Sequence, residues 1–147
     1  MSESEITDVK EQTRRGMNTI WNEQDLDYID DHYAEDFVMH DVTEGQVVEG
    51  RESYKTYVED VLTAFPDFET WPEDVVVGSE GETVVRYAWE GTHEGPLDGI
   101  EPTGETVEAR GVGVFRTEGD ELAEAWFYDD VFGMFRQLGL LPDEFDR

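Results

Sequence analysis

Thr83-Val84-Val85-Arg86-Tyr87-Ala88-Trp89-Glu90-Gly91-Thr92-His93 is the stretch on which the fold turns. Odd positions hold Val85, Tyr87, Trp89, Gly91 and His93, and even positions hold Val84, Arg86, Ala88, Glu90 and Thr92. Successive strand side chains point to opposite faces, so the run reads as a long β-strand with an aromatic side and a charged side. Downstream, Thr106–Thr117 and Leu122–Tyr128 keep the same period and flank Glu118-Gly119-Asp120, which predicts a hairpin. Upstream, Phe68–Val77 reads as extended and is expected to break at Pro72, with Gly78 and Gly81 turning the chain into the quoted strand.

Before Phe68 the apolar period is helical. Ile6, Val9, Met17, Ile20 and Trp21 predict an amphipathic helix over about residues 6–23, leaving residues 1–5 unordered. Leu26, Ile29 and Tyr33 predict a short second helix, and Phe37–His40 a brief strand. Gly45 and Gly50 bracket a turn around Val47-Val48. Tyr54, Tyr57, Val58, Val61, Leu62 and Phe65 then trace a second long helix, stopped by Pro66. Val131–Leu138 predicts a last short helix with Asp130 as its N-cap. Helices followed by long antiparallel strands mean one α+β domain, with helices packed on one face of the sheet.

Composition narrows the setting. The 147 residues carry 38 acidic against 10 basic side chains, a formal charge of −28. With 37% hydrophobic residues in periodic positions, this is a folding sequence rather than a disordered one. Lys10 and Lys55 are the only lysines, and the acid is spread evenly. That habit suits a halophile, because in molar salt the Debye length falls to about 3 Å and the carboxylates barely repel one another. An ordinary acidic protein or a nucleic-acid mimic are the alternatives. Nucleic acid and anionic membranes are unsuited partners, since no basic footprint exists. Cysteine is absent, which excludes disulfides and thiolate chemistry. The acidic Met1–Glu5 has no apolar core and no run approaches membrane-spanning length, so a soluble, cytoplasmic protein is expected.

Several residues are candidates for chemistry. His93 shares a strand face with Tyr87 and Trp89 and is expected either to line a ligand pocket or to bond a loop carbonyl. Gly111 and Gly113 mark sheet curvature or the close approach of a ligand or backbone. Asp129 and Asp130 follow Trp126-Phe127-Tyr128, where burial among aromatics would raise a carboxylate pKa into the range of acid–base catalysis. Asp130 also has a sufficient role as a cap. His40 and Asp41 are a weaker pair, and with His32 the three histidines show no metal-ligand spacing. No GxSxG, phosphate loop or GxGxxG occurs.

Taken in order, Ala64-Phe65-Pro66-Asp67, Gly91-Thr92-His93-x-Gly95, Gly99-x-x-Pro102-Thr103-Gly104, Gly111-x-x-x-Phe115-Arg116 and Gln137-Leu138-Gly139-Leu140-Leu141-Pro142 resemble the SnoaL-like polyketide cyclase family, over nearly the whole chain. The resemblance implies the α+β cone of the nuclear transport factor 2-like superfamily, a curved antiparallel sheet packed by N-terminal helices around a pocket, usually dimeric. In the family's cyclases a histidine on the penultimate strand and an aspartate on the last strand close a ring by intramolecular aldol condensation, without metal or cofactor. Those positions fall here on Gly113 and Phe127. His93 and Asp130 match recurrent family positions without being that pair.

The resulting expectation is a homodimer that binds a small apolar carbonyl compound. Its pocket would be lined by His40, Tyr87, Trp89, Gly113, Trp126 and Phe127, with Asp129, Asp130 and His93 as acid–base candidates and no metal or cofactor. A non-catalytic binding or scaffold module is the alternative, and epoxide or ester hydrolysis a third.

Overall fold

The computed structural model describes residues 1–145. The chain runs α1 (Glu3–Met17), a π-helical turn (Asn18–Asn22), α2 (Asp27–His32), β1 (Tyr33–Asp41), β2 (Gln46–Glu49) and α3 (Arg51–Ala64). It continues with β3 (Glu69–Val77), β4 (Thr83–Thr92), β5 (Thr106–Glu118), β6 (Glu121–Asp129), α4 (Val131–Gln137) and a 3₁₀ turn at Asp143–Phe145. One six-stranded sheet has the order β2-β1-β6-β5-β4-β3. The α+β cone is as expected. One pairing differs, since β1 lies parallel to β6 while every other neighbour is antiparallel. Four strands and α3 separate β1 from β6, enough chain for a crossover that no hairpin could supply.

Local departures from the sequence reading have local causes. Helix α1 begins at Glu3, so residues 3–5 are ordered. Ser2 and Glu5 form a capping box, with Glu5 N–H donating to Ser2 Oγ at 3.1 Å. The first long helix closes in a π turn, which delivers Asn22 to the edge strand. Its amide accepts from Thr70 N–H at 2.8 Å and donates to Thr70 O at 2.9 Å. Pro72 does not break β3. This strand lies at the sheet edge, where one missing N–H is tolerated, and a register shift between Pro72 and Asp74 absorbs the rest. Further shifts interrupt the β1–β6 and β5–β6 ladders, and bulges of this kind curve a sheet.

Cross-strand register fixes what faces the helices. Val85, Gly113, Phe127 and Asp41 form one inward row, and Tyr87, Gly111 and Asp129 form the next. Two buried clusters sit on this concave side. One joins Ile20, Ile29, Phe37, Met39, Tyr54 and Val58, and the other Phe65, Val75, Val85, Trp89, Val107 and Leu138. Fully burying an aliphatic or aromatic side chain of this kind contributes about 1.5–3 kcal/mol, so the two clusters hold the helices to the sheet.

Two of the sequence motifs meet in space. Gly91 lies so close to Phe65 that an added Cβ would stand 3.0 Å from that residue's own Cβ, and one at Gly95 would strike Thr63 O. Asp67 then ties the end of β4, accepting from Thr92 N–H at 2.7 Å and Thr92 Oγ1 at 2.8 Å. These hydrogen bonds, the backbone bond foremost, hold its carboxyl below the usual range. Gln137 docks α4 on β5 through reciprocal bonds of 2.8 and 2.9 Å with the Glu108 backbone. These motifs pin elements to one another rather than carry chemistry.

Candidate functional site

The helices cover only part of the concave face. Between them and the sheet lies a cavity of about 960 Å³, large enough for a drug-sized molecule. Its walls are mostly aromatic. Phe68 stacks on Trp89 with ring centroids 5.1 Å apart and meets Trp21 at a tilt, 5.0 Å away, and Tyr57, Phe115 and Phe127 also line the cavity.

Polar groups gather where β1 and β6 end. Tyr87 Oη donates to Asp129 Oδ1 at 2.5 Å across the sheet. Gly111 lies between them in register, and its missing side chain makes the contact. A Cβ there would strike Asp129 Oδ1 and stand 2.7 Å from Tyr87 Oη. Thr43 fixes the backbone beneath, its hydroxyl donating to Asp129 O at 3.0 Å and accepting from Asp129 N–H at 2.9 Å. Burial pushes Asp129 up to about 6; the Tyr87 hydrogen bond opposes this and the Asp41 charge adds to it. The Tyr87 hydroxyl is held well above its ordinary value by the same burial and by the Asp129 charge. Beside them Glu44, at the cavity mouth, is raised to about 7 by desolvation first and then by Asp41. A carboxylate that changes state near neutrality, in an apolar cavity and already holding a hydroxyl proton in place, suits proton transfer to or from carbon.

Gly111→Ala is expected to break the Tyr87–Asp129 bond and cost about 1–3 kcal/mol through overpacking. Urea unfolding, with an NMR titration of Asp129, would check both effects. An Asp129 resonance that titrates as in the parent would show that Gly111 is incidental.

The expected site residues divide. Tyr87, Trp89, Phe127, Asp129 and Asp130 line the cavity. His40 and Trp126 do not, and this corrects the sequence reading. They pair with each other in a row on the opposite, convex face, stacked at 5.2 Å, with His40 Nε2 2.7 Å from Glu124. Trp126 and Phe127 are adjacent in one strand and so face opposite ways. Gly113 lies on the inner face but behind rings, since a Cβ there would meet Phe115 and Phe127 at 3.0 and 3.1 Å. Phe127 therefore fills the space that a side chain at 113 would use. Asp130 caps α4, accepting from Gly133 N–H at 2.8 Å.

His93 is fully buried and forms no part of the cavity wall, a second correction. It stands behind Phe65, ring centroids 5.6 Å apart, just past the end of β4. Its Nδ1 accepts from Thr103 N–H at 3.2 Å and lies 3.1 Å from Thr103 Oγ1. The histidine thus pins the 94–104 loop, through a loop N–H rather than the carbonyl expected. His93→Phe would leave Thr103 N–H unsatisfied and is expected to cost about 1–3 kcal/mol. Hydrogen exchange should quicken across residues 94–104 while ligand binding at Trp89 persists; lost binding with an unchanged loop would restore His93 to the site.

Glu44 and Tyr57 were passed over as site residues by the sequence reading, and Asp41 entered only as a weaker candidate beside His40. Asp41 was legible in principle, since it follows Phe37 and Met39 at even spacing. Glu44 and Tyr57 come from a turn and a helix whose approach to β6 no local pattern encodes. Among the described residues no group of three or more histidine, cysteine or acidic side chains is arranged to hold a metal ion.

The geometry has close counterparts. A candidate SnoaL-like polyketide cyclase from Jannaschia sp. CCS1 superposes with a TM-score of 0.83 at 24% identity, over 93% of this chain and 95% of that one. The candidate hydroxylase AclR from Streptomyces galilaeus gives 0.79 at 26% identity, over 94% and 89%. IdmH from Streptomyces antibioticus, a candidate polyketide cyclase, gives 0.74 at 25%, over 88% and 97%. No curated protein matches the chain. The sequence profile of the SnoaL-like polyketide cyclases matches residues 11–138, from within α1 to the end of α4, and so the chain belongs to that family.

Proposed function

We propose that the protein binds a small, largely apolar carbonyl compound in this cavity and catalyses cofactor-free proton transfer there, of the aldol or isomerase kind. The Tyr87–Asp129 hydrogen bond inside an aromatic cavity carries the reading. Ionised Asp129 takes a proton from the carbon next to the carbonyl, and the electron pair left behind moves onto the carbonyl oxygen as an enolate. In an aldol closure the enolate carbon attacks a second carbonyl of the same molecule, and the proton returns to the alkoxide formed. Nothing else is consumed. The acid–base pair implied by the family resemblance, at Gly113 and Phe127, is absent, and the acid stands one pleat further along β6. Hydrogen–deuterium exchange at the α-carbon of an aryl ketone, followed by NMR in D₂O, tests this. Exchange no faster than in buffer, with the ketone bound, would leave the non-catalytic binding module, which the lost Gly113–Phe127 pair also favours.

The proposal extends to the setting: a homodimer in the cytoplasm of a cell with molar internal salt. The few lysines and dispersed acid support the salt. A second copy suits the convex face, where His40, Trp126, Tyr128, Val112 and Val114 lie in register. Arg86 and Arg110 pair there with Glu73, and Arg116 with Glu124, so this patch is close to neutral on a chain of −28. Among the described residues no helix is long and apolar enough to cross a membrane.

A further inference from the structure

We propose that the ligand is a cation, an apolar ring system bearing one basic amine whose ammonium group sits at the carboxylate end of the cavity. This rests on the proposed carbonyl-binding cavity and adds a charge to its occupant.

Asp41, Glu44, Asp98, Asp129 and Asp130 line the cavity, and among the described residues no lysine or arginine does. None of the five takes part in an ion pair among the described residues, although Lys55, Arg51, Arg86, Arg110 and Arg116 all pair with carboxylates elsewhere. Asp41 is only 4% exposed, and its carboxylate accepts a hydrogen bond from Glu44 N–H at 3.1 Å. A buried carboxylate with no positive partner is costly, and proteins ordinarily pair such groups. Protonation of Glu44 and Asp129, both raised by burial, relieves part of the repulsion. An ammonium relieves it more fully, because these two can then ionise.

Two further observations point to the same occupant. Tyr57, on α3, is half-buried in the cavity wall, where burial and the charges of Asp129, Asp41, Glu44 and Asp98 hold its hydroxyl well above its ordinary value, and that hydroxyl makes no hydrogen bond among the described residues. Tyr57, Tyr87 and Trp89 line the same cavity, and aromatic rings attract a desolvated cation. A metal ion would need converging ligands, and none are grouped that way among the described residues. A carboxylate or phosphate on the ligand would meet only negative charge.

The test uses three matched probes: a naphthyl methyl ketone, the same ketone with a dimethylaminomethyl arm, and the same ketone with a carboxymethyl arm. Binding is read by isothermal calorimetry at pH 5 and pH 8 in constant molar KCl, where charges inside a cavity are screened less than those on the surface. The titratable groups that line the cavity are Tyr33 and Asp41 on β1 with Glu44 beyond it, Asp129 on β6 with Asp130 beyond it, Asp98 in the loop, Tyr54, Tyr57 and Asp60 on α3, Tyr87 on β4, Tyr28, Asp31 and His32 on α2, and Asp120 between β5 and β6. At pH 8 the amine is expected to bind at least tenfold more tightly than the neutral ketone, and the carboxylate probe not at all. At pH 5 the advantage should shrink, because protonated carboxyls no longer attract the ammonium, and binding near pH 6.5 should release protons. Glu44→Gln, at the mouth, should reduce the advantage of the amine over the neutral ketone. If amine and neutral ketone bind equally at pH 8, the charge assignment is overturned while the carbonyl pocket stands. If no probe binds, both fall.

Discussion

Asp129→Asn is expected to lower proton exchange at a bound ketone by about 10²–10⁴-fold, the contribution of a positioned general base. Its stability should change little, since asparagine Oδ1 can still accept from Tyr87. Asp130→Asn should keep the exchange and change stability only modestly, because asparagine caps helices as well as aspartate does. In the parent the rate should climb with pH and level off above the Asp129 pKa of about 6, because the ionised form is the base. A measured profile that falls over the same interval would make Asp129 an acid. Activity lost with Asp130→Asn and kept with Asp129→Asn would make the capping residue the catalyst.

Stability should rise steeply with salt, by ~3 kcal/mol or more between dilute buffer and 2 M KCl. At this chain length that moves the thermal midpoint by about 6–12 °C. The −28 charges act across a Debye length that falls from about 10 Å at 0.1 M to about 3 Å at 1 M. Unfolding followed by circular dichroism would check it, and an unchanged midpoint would remove the halophile proposal. Acid should help in the same direction at low salt. The folded-state pKa values of Asp129 and Glu44, about 6 and about 7, lie above the ordinary carboxylate range. Between the two ranges the folded protein holds more protons than the unfolded chain, so stability grows as pH falls from about 7 towards 4.5 and is lost as it rises.

The alternation of Thr83–His93 was enough to fix the strand and its inward set, because a period of two leaves no freedom about which residues share a face, and the same period on either side of Glu118-Gly119-Asp120 placed the β5–β6 hairpin. The helical stripe from Tyr54 to Phe65 likewise placed α3, and Asp130 placed the start of α4. The same rule read across the strand end put Asp129 with Phe127 and excluded Trp126, so His40 and Trp126 were misplaced by neglecting alternation rather than by any lack of signal. His93 is a different case. Its position just past the end of β4 placed it near the aromatic face, but whether its ring meets the cavity or the 94–104 loop depended on Phe65 standing in front of it. The parallel seam of β1 and β6 was also beyond local pattern, because it joins segments some 85 residues apart in register. That seam brings Asp41 and Glu44 to Asp129, while the bare Cα of Gly111 lets Tyr87 reach the same carboxylate. Sequence by itself determined which side chains point inward, since that is set within each strand; only the tertiary structure decided which of them meet, since that is set by register and close approach between strands.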